Sequence, residues 1–359
     1  MNIESLNFYS YKLKFCQPLR TSKETFIFRE GFIIRLTDGQ NTQYFGEVAP
    51  LPSFGTETAG EASDKLNQLK NIIKNTDLPE IFNILNSIKL YNFPAVKSGM
   101  EQAIINFSFL NGFEPVTGQF QTSSKEFKVA GITGASQKQN CKPVMSELIE
   151  AGIKTFKIKT GKENFENDLA CIKTLRDLDE TVAIRLDVNG AWSFREAKKK
   201  IEKLTGYGIE FIEQPVKSLN DLYKLSKISP IPIAVDESIK NYKTAKEIIE
   251  SGIFKFVILK PAVLGSILDS LKLIDLGNTH KVNIIISSSF ESVLGKSILY
   301  LLAAQTNHNF AHGLVANKIF DDDLFRDPFC IKDGKVKFEL ARYIDFIKQL
   351  TELEYDEHR

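Results

Sequence analysis

Six side chains carry the first chemical signal. Lys157 and Lys159, Asp187, Glu213, Asp236 and Lys260 stand at the ends of short apolar runs rich in β-branched residues, and successive runs lie about 25 residues apart. One charged residue at a strand end marks only where a strand meets water. Five consecutive runs ending this way, with carboxylates on the middle three and lysines on the flanking two, require a shared purpose. Neighbouring strands lie ~4.8 Å apart, so Asp187, Glu213 and Asp236 can converge on one point. Their repulsion calls for a cation, and an all-oxygen set without His or Cys favours Mg²⁺ or Mn²⁺ over Zn²⁺. The competing reading pairs each carboxylate with a local Lys or Arg.

A free lysine, with a pKa near ~10.4, is protonated at neutral pH and is no base. Lys157 and Lys159 share a face, because side chains repeat every second residue along a strand. Two ammonium groups ~6 Å apart repel by roughly 3 kcal/mol at an effective dielectric near ~20, or about two pKa units. With partial desolvation added, Lys157 is expected to tune Lys159 into the general-base range. The set suits removal of a proton α to a carboxylate while a metal holds the enediolate.

These residues need a scaffold that brings strand ends level. Candidate strands at 127–131, 155–159, 183–187, 209–213, 231–236, 254–260 and 282–287, with a weak eighth near 309–312, alternate with amphipathic helices such as 194–204 and 266–276. Repeated β-α units with buried strands mean a parallel sheet. About eight of them predict an α/β fold of the closed (β/α) barrel type, whose chemistry lies at the C-terminal strand ends. Strands two and six are then four apart, which sets Lys159 and Lys260 on opposite sides of the mouth. The runner-up, a doubly wound sheet, lacks its G-x-G-x-x-G signature. Upstream, strands at 5–15 and 31–37, a turn-rich loop at 46–55 and helices at 57–74 and 94–110 predict a small α+β domain. The expected division is a capping domain at 1–118, a barrel at 119–326 and a segment at 327–359 that packs back on the cap.

The composition narrows the setting. The 359 residues carry 46 basic and 45 acidic side chains, a net charge of +1, so neither nucleic acid nor an anionic membrane surface is expected as a partner. Hydrophobic residues at 43% and charged ones at 25% allow a large core and argue against disorder. No apolar run nears the ~20 residues a bilayer demands, and the opening lacks a secretion-signal layout, so a cytoplasmic protein is expected. Cys16, Cys141, Cys171 and Cys330 form no C-x-x-C pair and read as scattered buried thiols. The barrel exterior offers no patch that specifies an oligomer.

The strings FKIKTG (156–161), IRLDVNGAW (184–192), FIEQP (211–215), VDES (235–238) and ILKP (258–261) resemble the enolase superfamily, in particular its muconate-lactonizing-enzyme subgroup. Sites of that superfamily carry a lysine or histidine base with Mg²⁺. GEVAPLPSFGTET (46–58) and PAVKSGMEQAI (94–104) resemble its capping domain, so the likeness covers nearly the whole chain. Within the subgroup, the 46–58 loop, SSSFESVLG (287–295) and AHGL (311–314) are most similar to the o-succinylbenzoate synthase family. The resemblance implies a hydro-lyase of menaquinone biosynthesis acting on a small-molecule carboxylate. The reaction would be a Mg²⁺-dependent syn-dehydration of 2-succinyl-6-hydroxy-2,4-cyclohexadiene-1-carboxylate to 2-succinylbenzoate through an enediolate. It makes Lys159 the base that later protonates the departing hydroxyl, Lys260 the stabiliser of the anion from the opposite face, and Asp187, Glu213 and Asp236 the Mg²⁺ ligands.

Asn189 and Glu237, beside candidate ligands, are read as groups that orient them, with ordinary polar packing as the alternative. Ser288, Ser289 and Gly313 are read as contacts to the succinyl arm, or else as residues that only shape their loops. The loops at 20–29 and 51–55, ending at Gly55, are expected to close over the substrate. His308 and His312 are read as structural and Trp192 as core. Dipeptide epimerases and N-acylamino acid racemases share the catalytic core, and the former carry an Asp-x-Asp that Asp321 to Asp323 formally match. Cycloisomerases of the subgroup are a further alternative. A non-catalytic metabolite-binding barrel, the reading from a different class, has no need of five charged strand ends.

Overall fold

Alternation of buried Tyr11, Leu13 and Phe15 with exposed neighbours makes a long strand of Asn2–Arg20, which pairs antiparallel with Thr25–Asp38. The computed structural model describes residues 2–20, 24–87, 90–134, 141–161, 164–314 and 318–352. Gln43–Val48 extends the sheet on one side and Thr76–Asp77 on the other. Helix Ala59–Ile73 begins with a capping box, in which Thr58 and Glu61 each satisfy the other's backbone N–H. Together with Pro94–Asn111 it supplies Leu66, Leu69, Met100 and Ile104 to a core shared with Ile34 and Leu36 of the sheet. Helix Leu78–Ser87 belongs to the same layer; it is absent from the sequence expectation.

The second sheet is parallel. Gly131–Gly134, Thr155–Lys159, Ala183–Asp187, Ile209–Glu213, Ile233–Val235, Phe256–Leu259 and Asn283–Ile286 follow one another in sequential order, with no reversal. That order rules out the doubly wound alternative. The eighth strand shrinks to two residues: His312 bridges Val129 and Gly313 bridges Ser287, both in parallel, so the ring closes. A Cβ at Gly313 would come 2.7 Å from Ser287 Oγ and 3.1 Å from its Cβ, so glycine lets the seam close without displacing Ser287. Side chains reinforce it. His312 Nδ1 accepts the Ile286 N–H at 3.1 Å, and the Arg185 guanidinium donates to Ala311 O at 2.7 Å from inside the barrel. A register shift next to Arg185 lets Glu210 pair with it. Phe211, Ala234, Phe256, Ile258 and Ile285 fill the interior beneath the strand ends, so the barrel has a packed floor.

Two expectations change, the first barrel strand and the burial of the cysteines. The first barrel strand is Gly131–Gly134 and not 127–131. Ser124–Lys128, with Phe127 buried and its neighbours largely solvated, pairs antiparallel with Lys335–Glu339, a half-exposed strand that suits an antiparallel sheet. The final helix Leu340–Thr351 lies on the capping layer, where Tyr343 OH donates to Asn106 Oδ1 at 2.6 Å. All four cysteines are free thiols, but only Cys171 is buried, and Cys16 and Cys330 are exposed. No helix among the described residues is long and apolar enough to cross a membrane.

Two carboxylates of the capping layer dock it to the barrel. Glu101 accepts the N–H groups of Ile267 (2.7 Å) and Leu268 (3.1 Å), at the start of helix Ile267–His280. Glu47 accepts those of Ser292 (3.0 Å) and Gly295 (2.7 Å), at the start of helix Val293–Gln305. Helix N-termini hold unsatisfied donors and partial positive charge, which makes them natural sockets for a carboxylate.

Candidate active site

Parallel register brings the charged residues level. Lys159 pairs with Asp187, Asp187 with Glu213, and Glu213 with Ala234, two residues before Asp236. Phe256–Leu259 runs four strands away from Thr155–Lys159, and Lys260 follows it directly. Lys159 and Lys260 therefore line one cleft of about 240 Å³ from opposite sides of the mouth, with Asp187 and Asp236 also in its wall. Glu213 lies beneath the wall, buried, in a salt bridge to Lys157.

Glu213 and Asp236 lie within hydrogen-bonding reach of each other, and each of the three carboxylates also holds a lysine. Lys157 Nζ lies 2.9 Å from Asp187 Oδ2 and 2.7 Å from Glu213 Oε1, and Lys260 binds Asp236. Among the described residues no three Asp, Glu, His or Cys side chains form a ready metal cage. Asp187 and Glu213 thus converge on the ammonium of Lys157, and the lysines that hold the carboxylates belong to the site itself. The donor set still fits a hard divalent cation: it is all oxygen and buried, and Asp187 Oδ1 has no hydrogen-bond partner among the described residues.

Burial acts differently on each group. It lowers the pKa of Lys159, with the charges of Lys157 and Lys260 adding to it against Asp187. Desolvation therefore leads, and repulsion from Lys157, expected as the main cause, is secondary. Burial also disfavours charge on Lys157, but Asp187, Glu213 and Asp236 outweigh it and raise its pKa. Lys260 is raised in the same way, chiefly by Asp236. Burial, followed by the charge of Asp187, pushes Glu213 well above the usual carboxylate range.

Asn189 and Glu237 both line the cleft and hold each other, Asn189 Nδ2 donating to Glu237 Oε1 at 2.8 Å. Ser288 and Gly313 line it too, but Ser288 Oγ donates to Glu291 at 2.6 Å and is engaged within its own loop. Ser289 does not line the cleft: it is buried, and its N–H goes to the Glu291 carboxylate at 2.7 Å. From the cap, Ser53, Phe54 and Gly55 reach the cleft. Gly55 has φ +106°, a left-handed turn that favours glycine. None of residues 24–29 lines it, and 21–23 lie outside the described residues. Trp192 and His312 are buried structural residues, and His308 bonds the Ile284 carbonyl from below. Neither Asp321 nor Asp323 lines the cleft. Asp321 pairs with Lys14 at 2.9 Å, and Asp323 accepts the Val293 N–H at 3.0 Å.

Sequence reasoning missed Gln214. This buried residue, at φ +41°, accepts the N–H groups of Asp236 (3.1 Å) and Ser238 (3.2 Å) on Oε1. It thereby locks the end of the Glu213 strand to Asp236. The available signal was a neutral amide directly following a candidate ligand.

Comparison with known proteins agrees with this architecture. Residues 142–341 match the family described as enolase C-terminal domain-like, and residues 3–106 match the one described as MenC, N-terminal domain. Protein PHYLLO, chloroplastic, of Arabidopsis thaliana is 24% identical over 91% of this chain, which spans 22% of that protein's length. The o-succinylbenzoate synthase of Aliivibrio salmonicida is 26% identical over 89% of this chain and 92% of its own. In fold, the chain is similar to the substrate-liganded L-Ala-D/L-Glu epimerase from Bacillus subtilis, with a TM-score of 0.84 at 21% identity, over 94% of this chain and 96% of the other. A family match over more than half the length, on a barrel whose strand ends carry these charges, makes the chain a member of the enolase C-terminal domain-like family and an enzyme of the enolase superfamily.

Proposed function

We propose that this enzyme is a cytoplasmic, Mg²⁺-dependent o-succinylbenzoate synthase, with a cap at 1–118, a catalytic barrel at 119–326 and a C-terminal segment that returns to the cap. One observation carries the reading: Lys159 and Lys260 face each other across a cleft whose wall between them is carboxylate. The MenC-type capping domain and the name of the Aliivibrio relative support the choice of reaction.

In this reading Lys159, favoured in its neutral form by burial, takes the α-proton of 2-succinyl-6-hydroxy-2,4-cyclohexadiene-1-carboxylate. It then returns that proton to the hydroxyl leaving the same face. The C–H electron pair becomes ring π-bonding as the C–O bond breaks, so water and 2-succinylbenzoate leave without a covalent intermediate. Lys260 keeps its charge beside Asp236 and steadies the enediolate from the opposite face. Asp187, Glu213 and Asp236 would hold the divalent cation, which supplies fixed positive charge against the substrate carboxylate. Asn189 and Glu237 brace the rim of the cleft beside these ligands. Ser288 and Gly313 face the succinyl arm, and the loop ending at Gly55 closes over it. Ser289 keeps only a role in shaping its loop. Epimerisation of a dipeptide is the weaker reading, because Asp321 and Asp323 are engaged away from the cleft.

The test is an ultraviolet assay of the purified protein with the cyclohexadiene substrate, with and without Mg²⁺. Metal-dependent loss of diene absorbance is expected. No turnover by metal-loaded protein, with α-proton exchange on dipeptides in D₂O instead, would overturn the reading.

A further inference from the structure

Arg29 is buried on strand Thr25–Asp38, outside the cleft, and the proposed chemistry does not use it. Its guanidinium donates to Pro50 O (2.6 Å) and Ala49 O (2.6 Å) on one loop and to Phe290 O (3.1 Å) on another, with Glu30 O at 2.9 Å completing the set. The first loop belongs to the cap and runs directly into Ser53, Phe54 and Gly55. The second follows barrel strand Asn283–Ile286. Both reach the cleft, where the Phe54 and Phe290 rings meet nearly edge to face, with centroids 6.1 Å apart. Lys260 Nζ sits 5.5 Å from the Phe54 ring centroid.

Among the described residues this guanidinium hydrogen-bonds only to carbonyls, with the Glu291 charge nearby, and that is a costly way to fill space, since an apolar side chain would pack there without desolvating a charge. What it supplies is geometry. A rigid planar fork holds three carbonyls from two loops at set angles, which lysine's single ammonium cannot reproduce. Phe290 itself has φ +64°, a conformation its neighbours must enforce.

We propose that Arg29 is a positioning residue for substrate recognition: it clamps the 49–55 loop of the cap to the 287–292 loop of the barrel, so that Phe54 is held over Lys260. The inference rests on the proposed reaction only for the substrate used in its kinetic test.

The experiment compares wild type with Arg29→Lys, Arg29→Met and Phe54→Ala, by steady-state kinetics and by hydrogen exchange of the free protein. Arg29→Lys, the milder change, should raise KM about tenfold while leaving kcat within about threefold. Exchange should quicken in the 49–56 and 287–292 segments alone. Arg29→Lys added to Phe54→Ala should cost little more than Phe54→Ala by itself, because both act through one loop. A merely structural role would lower kcat in step with the folded fraction and leave KM unchanged; that result overturns the proposal. So would faster exchange spread over the whole cap, or effects of the two substitutions that multiply. If wild type fails to turn over the cyclohexadiene, the assigned reaction falls, and the exchange pattern alone still decides the role of Arg29.

Discussion

Replacing Glu47 with Gln tests whether the cap is docked by charge on a helix end. The carboxylate accepts from Tyr11 OH, from Ser292 N–H and Oγ, and from the Gly295 N–H, all buried. The amide keeps one acceptor oxygen and turns the other position into a donor. With its oxygen toward Tyr11 and Ser292 N–H, the new NH₂ faces Ser292 Oγ and Gly295 N–H. Gly295 then loses its acceptor, at ~1–3 kcal/mol for a buried donor left unmade. Loss of the charge–dipole interaction at the start of helix Val293–Gln305 adds up to ~2 kcal/mol in a buried setting. The expected total is about 3 kcal/mol. Glu61→Gln is the control: Glu61 also serves a helix start, but on the surface, and Gln fills the same place in a capping box. That change should cost under ~0.5 kcal/mol. A two-domain chain need not unfold in one step, so the assay combines urea unfolding with hydrogen exchange of the first turn of the 293–305 helix. Exchange there should accelerate about a hundredfold in Glu47→Gln. If Glu47→Gln proves no more destabilising than Glu61→Gln, the docking argument is wrong.

Further perturbations have defined outcomes. Lys159→Ala should abolish turnover while Mg²⁺ binding, followed by calorimetry, persists; substantial remaining activity would remove Lys159 as the base. Lys157→Met leaves Asp187 and Glu213 without their buried cation, so it should cost ~3–5 kcal/mol in EDTA, and Mg²⁺ should restore much of the loss in melting temperature. Burial, reinforced by Arg185 and Lys125, depresses the pKa of both His308 and His312. The unfolded chain, with histidine near ~6.5, therefore takes up protons first. Their stabilisation is complete above that pH and declines below it, by up to ~1.4 kcal/mol per pH unit for each histidine. Urea midpoints between pH 7.5 and 5 should show this slope, and His312→Asn should reduce it. Gly313→Ala forces a methyl group against Ser287 at the barrel seam and should cost ~1–3 kcal/mol, read as a lowered melting temperature.

The charged strand ends were legible because a parallel barrel repeats a simple rule. Each of these β-α units carries a largely apolar run that ends in a charged residue at the barrel mouth. Strands Thr155–Lys159, Ala183–Asp187 and Ile209–Glu213 begin and end where the sequence alone sets them. Less was visible where partners lie far away in the chain. Residues 127–128, expected to open the first barrel strand, belong instead to Ser124–Lys128, an edge partner of Lys335–Glu339, since a five-residue run does not encode which neighbour it will meet.

What the sequence by itself determined was local: residue types, their period, and hence the ring order that sets Lys159 opposite Lys260. Only the tertiary structure decided which charges neutralise which. Lys157 does repel Lys159 as expected, but it lies between Asp187 and Glu213, and burial leads in lowering the pKa of Lys159. Gln214, Glu47 and Arg29 were silent for the same reason. Each acts by satisfying backbone groups distant in sequence, and the hydrogen-bond needs of a loop or helix end come into view only when packing brings a side chain to them.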